Sequence, residues 1–354
     1  MKLKTAVLLT AMLLSTSSAY SEAPSSAPTA TPAKAEPASQ AKAQVNYEKM
    51  KTLRGYAGSV LSIAFSPDGK YMAAGTSEKA IVVWDTAKWL IVSTMNDNDG
   101  DVSALAFSSD GKLLASGHDD KVYLWDTATW KKKSKIKASR KVNALSFNQD
   151  NSILAIARDE NESLLWDVKK DKLAQKLKGH NRDVKDISFS PDGKQLATGS
   201  NDNAVMLWDA SSGARTKTLS GHTNNVGVVA YSSDGKYLLS GSNDNSVSIW
   251  DPKAGNFIDA FTGHGNGICA LAFLPNSHIA NSGDCILLSG PFGIRIQSDN
   301  DSCKLIFWDV ETNKQLSSLE SDCGLSCSAF SPDGKLFVAG YAQGNRFITI
   351  FEKK

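Results

Sequence analysis

The sequence predicts an all-β protein: a single seven-bladed β-propeller of four-stranded antiparallel blades, closed by a strand from its N-terminal side. Three observations carry this. An aromatic residue followed by an acid recurs seven times, and a turn of the form Ser-x-Asp-Gly-Lys recurs five times. Between them, β-branched and aliphatic residues alternate with small or polar ones, with turn residues about every 8–12 positions.

The aromatic–acid pairs come first because they set the period. They stand at Trp84-Asp85, Trp125-Asp126, Trp166-Asp167, Trp208-Asp209, Trp250-Asp251 and Trp308-Asp309, with a degenerate Phe351-Glu352. Successive spacings are 41, 41, 42, 42, 58 and 43 residues. The turns are SPDGK at 66–70, SSDGK at 108–112, SPDGK at 190–194, SSDGK at 232–236 and SPDGK at 331–335, with a weaker Asn148–Ser152 in the third unit. Within one unit, Val184–Phe189, Gln195–Thr198, Ala204–Trp208 and Ala214–Leu219 read as four short strands. Four strands in one such period make a propeller blade, which has two apolar faces and is stable only against neighbours. The last unit ends one strand short. Asn46–Leu53 precedes Gly55-Tyr56 as Arg215–Leu219 precedes Gly221-His222, so it is expected to supply the outer strand of blade seven.

These residues resemble the WD-repeat β-propeller family over about 310 of 354 positions. The carriers are Gly-His at 179–180, 221–222 and 263–264, turn aspartates at 202 and 244, and the closing Trp-Asp. The resemblance implies a buried hydrogen-bond chain of His180, Thr198, Asp202 and Trp208 in blade four. In blade five it implies His222, Ser240, Asp244 and Trp250. A buried carboxylate needs a donor, and imidazole supplies one. Elsewhere the pattern breaks. Tyr56 replaces the first His, and Asp97-Asn98 and Lys137-Ala138 stand where Gly-His would fall. Blade six keeps His264 and Ser289, with Asp299 or Asp301 completing the chain. Blades four and five are therefore expected to be the most rigid, and the first three and the seventh to rely on packing.

The domain is read as 45–354, preceded by a signal peptide at 1–21 and a linker at 22–44. Lys2 and Lys4 precede the short apolar run Thr5–Leu14, and small residues follow at Ser17, Ser18 and Ala19. The segment 22–44 is almost wholly Ala, Pro, Ser, Thr, Lys, Glu and Gln, a composition that stays disordered. Export is the expectation, to the periplasm or the medium, because signal and tether look bacterial. No later apolar run approaches the ~18 residues that cross a bilayer, so membrane insertion after signal cleavage is not expected.

The charge balance, 39 Lys+Arg against 37 Asp+Glu, argues against a polyanion binder held by bulk electrostatics. The exception is the basic stretch Trp130–Lys141, which suits an anionic partner. Its place on the outer strand of blade two favours a guard against edge pairing instead, and no nucleic-acid partner is expected. All five cysteines fall late, at 269, 285, 303, 323 and 327. Export permits disulfides, and loop topology favours Cys303–Cys323. Cys323 and Cys327 lack a second pair or nearby His, so no metal is expected, nor any cofactor.

Binding is expected where the loops joining blades converge with the loops between second and third strands. The inner strands begin there with Ser59, Asp101, Lys141, Asp183, Asn225 and Gly267, opposite Asp159, Asn201 and Asn243. Two insertions account for the spacing of 58: Leu274–Asp284 on the opposite face, and Gly290–Ser302 on the loop face. The second offers Phe292 and Arg295 to a partner. The resemblance implies a non-enzymatic scaffold, monomeric, that binds a protein or peptide. The alternative is a propeller-framed hydrolase or oxidoreductase with its site at the channel. That would need clustered His or carboxylates, and the inner strands are mostly Ala, Ser, Val and Leu.

Overall fold

The computed structural model describes residues 45–54, 56–96, 99–284, 303–321, 325–341 and 347–354. Its elements are all strands, ordered as seven four-stranded antiparallel sheets. β1 (Tyr47–Leu53) comes first in the chain. Blade one takes β2 (Val60–Phe65), β3 (Tyr71–Thr76), β4 (Ile81–Asp85) and β5 (Leu90–Met95). Blade two takes β6 (Ala104–Phe107), β7 (Leu113–Gly117), β8 (Lys121–Asp126) and β9 (Lys131–Lys137). Blade three takes β10 (Val142–Phe147), β11 (Ile153–Arg158), β12 (Glu162–Asp167) and β13 (Lys172–Lys178). Blade four takes β14 (Val184–Phe189), β15 (Gln195–Ser200), β16 (Ala204–Asp209) and β17 (Arg215–Ser220). Blade five takes β18 (Val226–Tyr231), β19 (Leu238–Ser242), β20 (Val247–Asp251) and β21 (Asn256–Phe261). Blade six takes β22 (Ile268–Phe273), β23 (Ile279–Asp284), β24 (Cys303–Asp309) and β25 (Lys314–Ser321). Blade seven takes β26 (Leu325–Phe330), β27 (Leu336–Tyr341) and β28 (Ile348–Lys353), and β1 completes it.

The recurrent turn works through its serine and aspartate. Ser66 Oγ donates to Asp68 Oδ1 at 2.7 Å and accepts from Tyr71 N at 2.9 Å, while Asp68 accepts from Lys70 N at 3.1 Å. Gly69 closes it at φ 71°, a left-handed conformation that suits glycine. In blade three Asn148 replaces the serine and Asn151 takes the glycine position at φ 59°.

Burial follows the radial order of the strands. The middle strands are buried on both faces, as in the pattern iBBBBB of β3 and iBBBBi of β8, because each sheet packs between two others. Outer strands β5, β9, β13, β17 and β21 show one buried residue each, such as Ile136 and Leu219, whereas β1 buries both Tyr47 and Leu53.

Ring closure rests on β1. It pairs antiparallel with β28 from Tyr47↔Lys353 to Leu53↔Ile348. Tyr47 stacks on Phe307 with centroids 5.4 Å apart and donates its hydroxyl to Gly334 O at 2.6 Å. Ser317 Oγ donates to Val45 O at 2.7 Å, fixing the residue just before the strand against blade six. The closing strand therefore brings its own aromatic anchor as well as backbone hydrogen bonds.

The long spacing in blade six has a different origin from the one expected. Residues 274–278 form an ordinary first turn, and Ile279–Asp284 is the second strand rather than part of an insertion. All the extra length lies between β23 and β24, at 285–302, outside the described residues. The expectation put the hydroxyl of blade six at Ser289, between insertions at Leu274–Asp284 and Gly290–Ser302. The fold uses Asn281-Ser282-Gly283 instead. Asn281 is fully buried and its side chain has no hydrogen-bond partner among the described residues, a polar interior that a hydrophobic pattern hides.

Candidate interaction face

The buried chains that stiffen the loops come before the loops themselves. In blade four His180 Nδ1 lies 2.9 Å from Asp202 Oδ2, and Nε2 lies 2.7 Å from Thr198 Oγ1. Trp208 Nε1 donates to the same hydroxyl at 2.9 Å. Burial pushes the imidazole pKa down, against the pull of Asp202, so the ring is neutral at pH 7. A carboxylate only accepts, so Nδ1 carries the proton and Nε2 accepts from Thr198. Burial works to raise the Asp202 carboxyl, but N–H groups of Asn181, His180 and Ala204 outweigh it and hold the group ionised. Blade five repeats this geometry through His222, Asp244, Ser240 and Trp250, at 2.8 Å for each link.

Blades two, three and six correct the expectations. Blade two has its own chain, built from the end of its second strand. His118 Nε2 sits 2.9 Å from Ser116 Oγ, which accepts from Trp125 Nε1 at 2.9 Å, and Nδ1 donates to Gly100 O at 3.2 Å. Blade six uses Ser282, not Ser289: His264 Nε2 lies 2.7 Å and Trp308 Nε1 3.0 Å from its hydroxyl. Asp299 and Asp301 lie outside the described residues, as does Ser289.

Blade three replaces the chain by a buried guanidinium. Arg158, 3% exposed, donates to Ala138 O at 2.7 Å, pairs with Glu160 at 2.9 Å and makes a close contact with Glu162. Blades one, three and seven have Ala74, Ile156 and Ala339 at the hydroxyl position, in register with Thr198. None of these three has a histidine at its chain position. Hydroxyl and imidazole therefore come or go together, because either one alone would be buried without its partner.

The predicted face residues stand at the loop ends of these strands. Paired backbones bring them together two by two: Asp159 N donates to Lys141 O at 2.8 Å, Asn201 N to Asp183 O at 3.0 Å, and Asn243 N to Asn225 O at 2.9 Å. Side chains then join blades. Lys185 contacts Asp159 closely and lies 3.7 Å from Asp183, which accepts from Asn201 Nδ2 at 3.5 Å. Asn143 Nδ2 donates to Asp159 and to Val184 O, both at 2.8 Å. Burial pushes the Asp159 carboxyl up, but Lys185 and Asn143 outweigh it and keep it below the usual range. At Gly267 an added Cβ would lie 2.8 Å from Asn243 Oδ1, so blades five and six also meet closely. Ser59 N donates to Ser77 Oγ at 2.9 Å, and Asp101 is exposed.

Asn143 and Lys185 escaped the sequence reading, although both stand one residue after the start of an inner strand. The same position links inner strands elsewhere: Ser103 donates to Val142 O and Ser326 to Val60 O, each at 2.5 Å. Phe292 and Arg295 lie outside the described residues, and so do the side chains of the Cys303–Cys323 pair. Cys269 is disulfide-bonded. Cys327 is a free thiol that burial pushes up to about 12.

With this geometry the comparisons with known proteins agree. The WD domain, G-beta repeat (WD40), matches residues 47–85, 89–126, 171–209 and 213–251. The chain carries WD40 repeats. Each matched block starts at or near an outer strand and ends at a closing Trp-Asp, the register in which β1 belongs to the ring. Among curated proteins, the vegetative incompatibility protein HET-E-1 of Podospora anserina is 54% identical over 37 residues, 10% of this chain and 3% of that protein. Protein HIR1 of Kluyveromyces lactis is 31% identical over 51 residues, 14% of this chain and 6% of that protein. The matched stretches are thus a small fraction of either relative. WD40 propellers generally mediate protein interactions and are typically non-enzymatic.

Proposed function

We propose that the protein is an exported, non-enzymatic scaffold that holds a protein or peptide partner on the loop face of its propeller. The polar track from Lys141 to Gly267 carries this reading. Its side chains are tied to one another and to neighbouring blades, so the face is pre-ordered, and a partner meets fixed donors and acceptors at little entropic cost. The contact residues are Ser59, Asp101, Lys141, Asp159, Asp183, Asn201, Asn225 and Asn243, with Phe292 and Arg295 from the insertion. The leader at 1–21 supports a periplasmic or secreted location, and 22–44 would space the ring from its attachment.

Affinity capture from the native compartment tests the reading. Wild type, a Lys141→Glu/Asn201→Ala/Asn243→Ala variant, and a version lacking Gly290–Ser302 are compared as bait. A partner retained by wild type and reduced at least about tenfold by either change supports the loop face. Equal capture by all three baits rejects it.

A further inference from the structure

The basic stretch on blade two is larger than a guarded edge requires. Every blade ends in an outer strand whose free N–H and C=O groups invite another strand, and a charge there blocks such pairing. Yet β5, LIVSTM, stands at that position in blade one with no charged residue, and β21 carries Asp259 alone. By contrast β9 reads KKKSKIK, and β13 beside it adds Lys172, Lys176 and Lys178. The two walls are joined where Ser134 Oγ donates to Asp171 Oδ1 at 2.9 Å.

Part of this charge is compensated. Lys135 lies 3.4 Å from Asp99, and Lys176 lies 2.6 Å from Glu162. Lys132 is spent on the blade itself, with its Nζ 3.8 Å from the Tyr123 ring centre. Lys131, Lys133, Lys137 and Lys172 are exposed and form no ion pair among the described residues. Four unpaired cations thus flank an open strand edge.

We propose that β9 and the adjoining wall of β13 form a second docking surface, which receives an acidic, extended segment of a partner polypeptide as an added strand. Such a segment uses both features at once: its backbone satisfies the free edge, and its carboxylates meet the unpaired lysines across the strand pair. Other polyanions use only the charge. A single-stranded nucleic acid would want exposed aromatic platforms, and the exposed large apolar residues of these two strands reduce to Leu173. A lipid surface would want an apolar wedge, and the same residue is all that this wall offers. This surface lies on the side of the ring, so it is separate from the loop face.

The test uses the full chain and a fluorescein-labelled ten-residue peptide of alternating Glu and Thr, read by fluorescence anisotropy. Binding is expected at low salt and should weaken about tenfold or more between 50 and 300 mM salt. A Gln/Thr peptide should not bind, and alternate N-methylation of the acidic peptide should abolish binding by blocking its edge. The Lys131→Gln/Lys133→Gln/Lys137→Gln/Lys172→Gln variant should lose about tenfold in affinity with an unchanged thermal melt; if it does not fold, Lys133→Glu/Lys172→Glu serves instead. Absent binding, undiminished binding by the variant, or equal binding of the N-methylated peptide overturns the proposal. So does tighter binding of vesicles containing phosphatidylglycerol, or of duplex DNA, than of the peptide.

Discussion

Blades four and two bury the same three-part contact, hydroxyl between indole and imidazole, but bring the histidine from opposite directions. In blade four His180 comes from the loop before the inner strand and needs Asp202 behind it. In blade two His118 comes from the end of the second strand, and the carbonyl of Gly100 takes the place of the carboxylate. The difference teaches that where a hydroxyl lies beneath the tryptophan it must be satisfied, and that the histidine can come from either side to do so. Blade three goes further and dispenses with the chain, filling the same region with Arg158 and its acids.

The largest effect should come from blade three, where the interaction is ionic. Arg158→Met alone leaves Glu162 half-compensated in the interior and should lower unfolding free energy by about 3–5 kcal/mol in urea melts. Adding Glu162→Leu should recover most of that loss, since the pair is then replaced by apolar volume. If the double variant is as unstable as the single, the ion pair is not what the region depends on.

Next is the contrast between the two histidine chains. Asp202→Ala strands two part-buried N–H donors, those of His180 and Ala204, and releases the exposed one of Asn181, so it should cost about 2–3 kcal/mol. Asp120→Ala in blade two should cost less than about 0.5 kcal/mol, because that side chain is half-exposed and, among the described residues, pairs with Lys121 alone at 3.3 Å. Equal losses would erase the distinction drawn between the blades.

The comparison extends to the channel. Asp186 pairs with Gly199 where blade two pairs Ala104 with Gly117, so a carboxyl stands in blade four at an alanine position. Burial pushes it up to about 7, though it accepts from Val229 N at 2.7 Å and from Ile187 N at 2.8 Å. A folded-state value above the unfolded one near 4 means that the folded protein holds the proton more tightly. The stabilisation is full below about pH 4 and is lost as pH rises through about 7. Asp186→Asn should therefore flatten the stability profile across that window, by about 2 kcal/mol, because the residue is only half-buried and solvent screens part of the cost. A wild-type profile already flat between pH 4 and 8 would contradict the assignment.

The smallest effect is a gain. Blade one has Tyr56 edge-on to Trp84 at 5.7 Å and Ala74 at the hydroxyl position. Ala74→Ser should cost about 1 kcal/mol as an orphaned buried hydroxyl, and Tyr56→His added to it should restore about as much. A double-mutant cycle with no coupling would show that hydroxyl and imidazole are independent after all.

The sequence carried the architecture because its markers are local. A Trp-Asp pair, a Ser-x-Asp-Gly-Lys turn and an alternating strand each declare themselves within a few residues, and the likeness of Asn46–Leu53 to Arg215–Leu219 exposed the closing strand. His118 was missed because it follows the strand instead of preceding the next one, and no motif marks that place. Arg158 went unread, since nothing in the chain shows Ala138 O waiting for it. Ser282 was missed because the polar run Asn281-Ser282 does not read as a buried strand and fell inside the expected insertion Leu274–Asp284.

Amino-acid order by itself determined seven blades, their four strands and the outer strand that joins the chain's two ends. These follow from periodicity, turn chemistry and the need of each sheet for two neighbours. That His118 serves Trp125, where Asp159, Lys185 and Asp183 meet, and that Asp186 stands against the next blade were decided only by the tertiary structure. The Asp159–Lys185 and Asp186–Val229 contacts join residues 26 and 43 apart on neighbouring blades, and their geometry is set by how adjacent sheets pack, which no single repeat encodes.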